Sequence, residues 1–268
     1  MARKGNISLE SIINLYNKGF NTSEIAEELG CTHTNISNRL HKAEYLNLRD
    51  YSKRRLPSRA NRHIIDLGFF ENIDNQDKAY FLGLMFSDGS VNSKGNQFYL
   101  KLKDEDVILK FKEVLKCDYP VIYREFPNKS YALEVSSKKM CSDLILLGCV
   151  PNKTKVLKFP SLREDLIRHF IRGFFDGDGC LQLHDKIYHC RFDIACASKQ
   201  FLEIMRPYIT SIAKTNGGMN KESKYDVWHL SYSGHQVKQI LDWLYKDANY
   251  YMQRKYIKYQ LLSSLKTG

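Results

Sequence analysis

The fold is decided by two copies of one pattern, AYFLGLMFSDG at residues 79–89 and HFIRGFFDGDG at residues 169–179. Aligning their interior glycines places Asp88 on Asp178, an offset of 90 residues (178 − 88). Each copy is an apolar segment that ends in an Asp-Gly pair, which predicts a helix that stops at that pair. Two matched helices in one chain predict an internal duplication.

The interior glycines, Gly83 and Gly173, indicate how these two helices meet. A glycine inside a helix costs about 1 kcal/mol relative to alanine, so each needs a structural reason. Close approach of a second backbone is such a reason, because a glycine leaves room for it. We therefore expect the helices to pack at Gly83 and Gly173, which brings Asp88 and Asp178 together.

The segments after each copy also match. Residues 97–103 and 191–196 alternate polar and apolar side chains, which predicts half-buried strands. Further helices are predicted at about 106–116, 139–147, 199–212 and 236–245, and further strands at 121–126, 131–136 and 228–232. The predicted order is helix, two strands, helix, two strands, helix, twice over, which is an α+β fold.

At these residues the sequence resembles the LAGLIDADG homing endonuclease family, in its form with two motifs in one chain. The motifs are residues 81–89 and 171–179, and Phe86 departs from them because the family usually has an acid there. Supporting matches are the connector at 148–160 and the pair Arg254–Lys255.

The resemblance implies a pseudo-symmetric pair of αββαββα repeats, at 76–150 and 151–268, whose antiparallel sheets form a saddle over DNA. It also implies that each motif aspartate serves one DNA strand, which gives a staggered break with short 3′ overhangs.

Asp88 and Asp178 are the predicted catalytic residues and metal ligands. Two carboxylates at the negative ends of touching helices repel each other and DNA, unless cations lie between them. Ligation by oxygen alone favours Mg²⁺, with Mn²⁺ as a substitute. The main-chain carbonyls of Ser87 and Gly177 are further candidate ligands.

Lys138 is a third predicted catalytic residue. The family often places a basic residue just before the last helix of each half, and aligning 131–133 with 228–230 puts Lys138 there in the first half. His235 takes that place in the second half, and whether it replaces a lysine is left open. The alternative for Lys138 is an ordinary surface lysine near a helix start.

Outward residues of the predicted strands are expected to contact DNA in the major groove, where they would offer donors and acceptors to base edges. They are Gln97, Tyr99, Lys101 and Lys103 in the first repeat, with His189 and Arg191 in the second. The alternative for each one is a solvated strand position without a partner.

Residues 1–48 are predicted to be a helix-turn-helix module of three helices. Ala26, Gly30 and Ile36 stand where that motif needs a small residue, a turn residue tolerant of left-handed geometry and an apolar anchor. The helix from about 33 to 44 is the predicted recognition helix. Its candidate DNA contacts are Thr34, Asn35, Asn38, Arg39 and Lys42. A three-helix bundle for protein contact is the alternative.

A basic linker is predicted at residues 49–75. Between Arg39 and Arg62 there are eight Lys or Arg residues against two acids, and Pro57 interrupts any helix. Arg54 and Arg55 are expected to follow the DNA backbone, and a solvated connector is the alternative.

Composition agrees with a nucleic-acid partner. The net charge is +11, from 41 Lys and Arg against 30 Asp and Glu, and such a charge favours a polyanion. Seven cysteines without a Cys-x-x-Cys pair predict reduced thiols rather than a zinc site. No apolar run reaches the length of a membrane span, so an intracellular protein, in the cytoplasm or at the nucleoid, is expected.

The predicted function is that of a site-specific, homing-type DNA endonuclease, acting as a monomer on double-stranded DNA. A catalytically silent DNA-binding regulator and an RNA maturase on the same scaffold are the alternatives, and RNA is therefore a second candidate partner. Whether the gene lies in an intron, as intron homing requires, is left open. A purely structural module would leave the duplicated Asp-Gly ends unexplained.

Overall fold

The computed structural model describes residues 7–18, 20–43 and 63–263. The chain divides into two compact units, Met1–Arg62 and His63–Gly268. Arg54 and Arg55 lie outside the described residues, so their predicted DNA contacts stay predictions. In the described parts of the chain, none of the helices is both long and apolar enough to cross a membrane.

The N-terminal unit contains three short helices, as predicted: α1 (Leu9–Asn17), α2 (Thr22–Glu28) and α3 (His33–Lys42). Asn21 caps α2 in a reciprocal capping box, since its side chain accepts from the Glu24 amide and the Glu24 carboxylate accepts from the Asn21 amide, both at 2.9 Å. Gly30 follows α2 with a left-handed φ of 61°. The core consists of Ile12, Ile25, Ala26, Ile36 and Leu40.

The first repeat contains α4 (Gln76–Ser87), β1 (Gly89–Val91), β2 (Phe98–Leu102), α5 (Glu105–Val114), β3 (Val121–Arg124), β4 (Ser130–Val135) and α6 (Lys138–Leu146). Its strands form one antiparallel sheet in the order β1-β2-β4-β3. Strand β2 buries alternate residues, so one sheet face packs on the core and the other faces solvent.

The second repeat contains α7 (Glu164–Asp178), β5 (Gly179–Gln182), β6 (Arg191–Cys196), α8 (Lys199–Ala213), β7 (Gly218–Glu222), β8 (Val227–Ser233) and α9 (His235–Tyr245), and α10 (Gln253–Ser263) follows. Its sheet has the equivalent order β5-β6-β8-β7. The predicted α+β fold and element order are therefore confirmed in both repeats. No residue range was predicted for strands β1, β5 and β7: the first two are short and directly follow the motif helices, and β7, GMNKE, has no apolar alternation.

One apolar core joins the two repeats, and helices α4 and α7 lie within it. Every residue of α4 from Ala79 to Phe86 is buried, which explains its nearly continuous apolar sequence. Such a helix has no solvent-facing side, so its position in the fold is set on all sides by packing.

Candidate active site

Helices α4 and α7 touch backbone to backbone at their interior glycines. A Cβ placed on Gly83 would lie 2.2 Å from the carbonyl oxygen of Phe170, and one on Gly173 would lie 2.0 Å from that of Tyr80. Both distances are shorter than any normal contact, so glycine is required at each position. This packing fixes how the C-terminal ends of the two helices face each other.

The two aspartates lie at those ends. Asp88 is the C-cap of α4, and Asp178 is the last residue of α7. A Cβ placed on Gly177 would lie 2.3 Å from Oδ2 of Asp88, so the backbone next to Asp178 abuts the Asp88 carboxylate. The duplicated acids, 90 positions apart in the sequence (178 − 88), thus share one site.

The surroundings of both carboxylates disfavour their negative charge. Burial raises the pKa of Asp88, and its Oδ2 is buried without a hydrogen-bond partner among the described residues. Asp178 is exposed, but neighbouring atoms crowd its carboxyl group and partly desolvate it. This desolvation, followed by the negative charge of Asp88, raises the pKa of Asp178 to about 6.

Two lysines cap the ends of the motif helices beside these acids. Lys153 Nζ donates to the carbonyl oxygen of Ser87 at 3.2 Å and to that of Gly89. Lys255 Nζ donates to the carbonyl oxygens of Phe175 and Gly179, the latter at 2.5 Å. A cation at a helix C-terminus offsets the negative end of the helix dipole.

Each aspartate is affected more strongly by the lysine that caps the other motif helix. The charge of Lys255 lowers the pKa of Asp88 more than that of Lys153 does. For Asp178 the order is reversed. Burial in turn lowers the pKa of Lys255 to about 8, against the negative charges of Asp176 and Asp88. Both ammonium charges therefore act on both carboxylates.

The residues at this site fit a divalent metal only together with ligands from another molecule. Among residues 7–18, 20–43 and 63–263, no three His, Cys, Asp or Glu side chains are grouped closely enough to hold a metal ion alone. The partnerless Asp88 Oδ2 is, however, a hard oxygen of the kind that Mg²⁺ prefers. Mg²⁺ commonly binds through one or two carboxylates plus substrate phosphates, and the Asp88–Asp178 pair offers that set.

An open cleft of about 550 Å³ leads from Asp88 along the first sheet. Its lining residues come from the ends of the two motif helices, from β2 and the residues that follow it, from the β3–β4 hairpin and from α10. They are Asp88, Lys101, Leu102, Lys103, Asp104, Asn128, Lys129, Ser130, Gly177 and Arg254. The basic side chains of this lining outnumber the acidic ones, so the cleft suits a polyanion.

The predicted strand residues of the first repeat lie on the solvent side of its sheet. Tyr99 and Lys101 are exposed on β2, Gln97 precedes that strand and Lys103 follows it. They lie on the face opposite Phe98, Leu100 and Leu102, which point into the core.

In the second repeat, Arg191 is exposed on β6 and joins a polar network on the same face. Its Nη2 donates to Ser231 Oγ at 2.7 Å and to Asp193 Oδ1 at 3.2 Å. His229 Nδ1 lies 2.7 Å from Asp193 Oδ2. His189 is not on the strand, contrary to the prediction: it is exposed at the end of a short 3-10 helix, Ile187–His189, because the chain turns there before β6.

Lys138 is exposed at the first residue of α6. Through the register of the sheet, Gly89 is aligned with Leu100 and Leu133, and β4 then runs on to Val135. Lys138 therefore follows the end of β4 that points away from Asp88. Its catalytic role stays a prediction, which this placement does not favour. His235 occupies the equivalent start of α9.

In the N-terminal unit, the candidate contacts of α3 share one solvent-facing side. Thr34, Asn35, Asn38 and Lys42 are exposed, and Arg39 is half-buried. Ile36 and Leu40 form the opposite, buried side. A DNA-reading role for this helix stays a prediction.

Lys153 and Lys255 are the site residues for which no role was predicted. Both lie in segments that carry the family resemblance, the connector 148–160 and the pair Arg254–Lys255. Their sequence separation from the nearer motif gives no sign of contact, because long-range packing brings them back to the helix ends.

No family model matches the chain. It is 27% identical over 172 residues to the replication factor C small subunit of Methanocaldococcus jannaschii, and 28% identical over 184 residues to the probable translation initiation factor IF-2 of the same organism. Each match covers 60% of this chain but only 9% and 14% of those proteins, respectively. The named roles of the whole proteins therefore do not transfer.

The chain is similar to the following solved structures, each with a TM-score below 0.5. The homing endonuclease I-LtrWI bound to target DNA has a TM-score of 0.47 at 12% identity, covering 74% of this chain and 90% of that one. Full-length WhiA from Thermatoga maritima has a TM-score of 0.48 at 15% identity, with 74% and 64% covered. A variant of I-DmoI with target DNA and manganese has a TM-score of 0.43 at 19% identity, with 66% and 91% covered.

Proposed function

We propose that this protein is a metal-dependent DNA endonuclease that hydrolyses one phosphodiester bond in each strand of a specific site. The observation that carries the proposal is the meeting of Asp88 and Asp178 at the ends of two touching helices, where one Asp88 oxygen is buried without a partner. A fold gains nothing from two acids placed together at the negative ends of touching helices. Cation binding supplies the reason.

In the proposed mechanism, Asp88 and Asp178 would hold Mg²⁺, or Mn²⁺ in its place, together with phosphate oxygens of the DNA. The bound metal would polarise the scissile phosphate and lower the pKa of a water nucleophile. Both lysine charges favour the ionised aspartates, with the larger effect at Asp88 coming from Lys255 and the larger effect at Asp178 from Lys153.

The two lysines are proposed to stabilise the charge that develops on the phosphate during hydrolysis. Hydrogen bonds to main-chain carbonyls hold both ammonium groups in place before substrate binds. Such preorganised charges cost little rearrangement in the transition state. Lys153 and Lys255 are thus better candidates than Lys138 for the basic residues near the phosphates.

DNA is proposed to lie over the solvent faces of the two sheets. Lys101, Lys103 and Lys129 line the cleft beside Asp88, and Arg191 extends the basic surface into the second repeat. A single chain supplies both acids, so a monomer suffices to cut both strands. The N-terminal unit, through α3, is proposed to add a second DNA contact of the helix-turn-helix type.

Cleavage of a randomised duplex library with Mg²⁺ tests this proposal, using the natural chain, Asp88→Asn and Asp178→Asn at low salt. We expect the natural chain to cut at one long site and each variant to lose double-strand cleavage while still binding. If all three proteins bind DNA alike and none cuts, a silent regulator replaces the endonuclease. If RNA competes with DNA and is bound more tightly, the maturase alternative is favoured.

A further inference from the structure

Asp176 is a buried carboxylate that the proposed mechanism does not use. It has no exposed surface and lies two residues before Asp178 in α7. Its Oδ2 accepts hydrogen bonds from the Tyr80 hydroxyl at 2.9 Å and the Met252 amide at 2.7 Å. Its Oδ1 accepts from the Tyr245 hydroxyl at 3.0 Å. A carboxylate buried with this many donors is costly to lose and geometrically well defined.

The partners of Asp176 connect α7 to the segment that leads into α10. Tyr245 ends α9, and Met252 directly precedes α10. Arg172, one turn earlier in α7 and also fully buried, donates to the carbonyl oxygens of Leu244 and Tyr250, both at 3.0 Å. Helix α7 therefore holds the connection between α9 and α10 at both of its ends.

Lys255 lies in the first turn of α10, three residues after Met252. The Lys255 amide donates to the Met252 carbonyl at 2.9 Å, and the Lys255 ammonium donates to main-chain carbonyls at the end of α7. The Asp176–Met252 hydrogen bond is therefore one helical turn away from the residue whose ammonium group caps α7. A shift of Met252 would carry Lys255 with it.

The first repeat has no counterpart to this arrangement. The offset that aligns Asp88 with Asp178 aligns Phe86 with Asp176, and Phe86 is buried against Phe170 and Phe201 at ring distances of 5.1 and 6.3 Å. Lys153 comes from a different element, the connector after α6. The two halves of the site are thus held by different forces, one polar and one apolar.

We propose that Asp176 is a positioning residue that, through Met252, sets the place of Lys255 and so supports one of the two cleavage centres selectively. This inference rests on the proposed endonuclease function. It follows that loss of Asp176 slows the cleavage of one DNA strand more than that of the other. A general loss of stability would slow the cleavage of both strands equally.

The test compares Asp176→Asn with the natural chain and with Phe86→Leu, the matched change at the equivalent position of the first repeat. The substrate is the duplex recovered from the randomised library, end-labelled on either strand, and single-turnover rates are measured for each strand at saturating protein. We expect Asp176→Asn to slow one strand by about 10- to 100-fold, as small displacements of catalytic groups do. The cleavage rate of the other strand should stay close to that of the natural chain. Phe86→Leu should keep the natural ratio of the two strand rates. Equal slowing of both strands overturns the inference.

Hydrogen exchange without DNA separates this inference from the proposed function. We expect residues 252–262 to exchange faster in Asp176→Asn and unchanged in Phe86→Leu, with α8 as the internal reference in both. Unchanged exchange at 252–262 overturns the inference even if the natural chain cuts DNA. If the natural chain cuts nothing, the endonuclease proposal fails while exchange still decides the positioning role. Should Asp176→Asn not fold, Tyr245→Phe removes one contact of the carboxylate and is measured in the same way.

Discussion

Gly83 and Gly173 leave no room for a side chain between helices α4 and α7. A Cβ on either residue would lie within 2.2 Å of a carbonyl oxygen of the other helix. The backbone contact at these two glycines sets the approach of the helix ends, and through it the meeting of Asp88 with the backbone at Gly177. The position of the candidate site therefore depends on the lack of a Cβ atom at Gly83 and Gly173.

Replacing Gly83 or Gly173 by alanine should destabilise the protein strongly. The added methyl group would clash with main-chain atoms that cannot rotate away, and overpacking of a dense core costs about 3 kcal/mol or more in such cases. Denaturant unfolding measures this change. Gly68→Ala is the control, because a Cβ there would meet its nearest neighbour at an ordinary 3.5 Å. Equal stability of Gly83→Ala and Gly68→Ala would contradict the helix contact.

Removing either capping lysine should slow cleavage much more than it weakens DNA binding. We expect Lys153→Met and Lys255→Met to lower the single-turnover rate by about 10²- to 10³-fold, the usual cost of losing a preorganised charge at a reacting phosphate. Lys138→Met should leave the rate close to that of the natural chain, because Lys138 follows the far end of β4. Rates at saturating protein, with unfolding curves for each variant, make the comparison. A loss confined to Lys138→Met would restore the role predicted from the sequence.

The metal-free protein should lose stability as pH rises from about 4 to about 6. The pKa of Asp178 rises from 3.8 to about 6 in the folded state, chiefly through desolvation of its carboxyl group by neighbouring atoms and then through the charge of Asp88. The folded state therefore binds more protons than the unfolded state in this window, and its stability falls as the proton leaves. Below this window the carboxyl group is protonated in both states, and the penalty vanishes.

Asp178→Asn isolates this effect, since every other titrating group is shared with the natural chain. We expect the variant to melt about 2–4 °C above the natural chain at pH 7 in EDTA, and at nearly the same temperature at pH 3.5. Millimolar Mn²⁺ at pH 7 should narrow the gap, because a cation between the acids offsets their repulsion. If the natural chain melts above Asp178→Asn at pH 7 without metal, the raised pKa of Asp178 in the folded state is contradicted.

Much of the C-terminal unit can be predicted from the sequence because its signals are local and repeated. The motif copies, their glycines and their terminal aspartates are contiguous stretches whose periodicity and breaks follow from helix geometry. The strands β2 and β6 are visible through alternation. By contrast, β7 is hidden, because a solvent-exposed edge strand such as GMNKE has no apolar face to reveal it.

The parts that could not be predicted depend on contacts between distant segments. Lys255 reaches the end of α7 from a distant segment, and Asp176 and Arg172 contact the chain that precedes α10. Helix periodicity does not distinguish Lys255 from Lys258, three residues later in the same helix, which donates instead to the carbonyl of Leu181. The family resemblance marks the pair Arg254–Lys255 without giving its contact. The place of Lys138 at the start of a helix favoured a catalytic role in the sequence. The register of the sheet, however, puts Lys138 beyond the end of β4 that lies away from Asp88.

Charge removal on α3 tests whether the N-terminal unit contacts DNA. Arg39 and Lys42 lie toward the end of this helix, and each phosphate contact that they make should add close to one counterion to the salt dependence of binding. The double variant Arg39→Ala/Lys42→Ala should therefore reduce the slope of log K against log salt by about 2, while the cleavage rate at saturating protein stays unchanged. Lys18→Ala, at the end of α1, serves as the control for a general change in net charge. An unchanged slope in the double variant would favour a three-helix bundle for protein contact, since the polar side of α3 would then have no phosphate to neutralise.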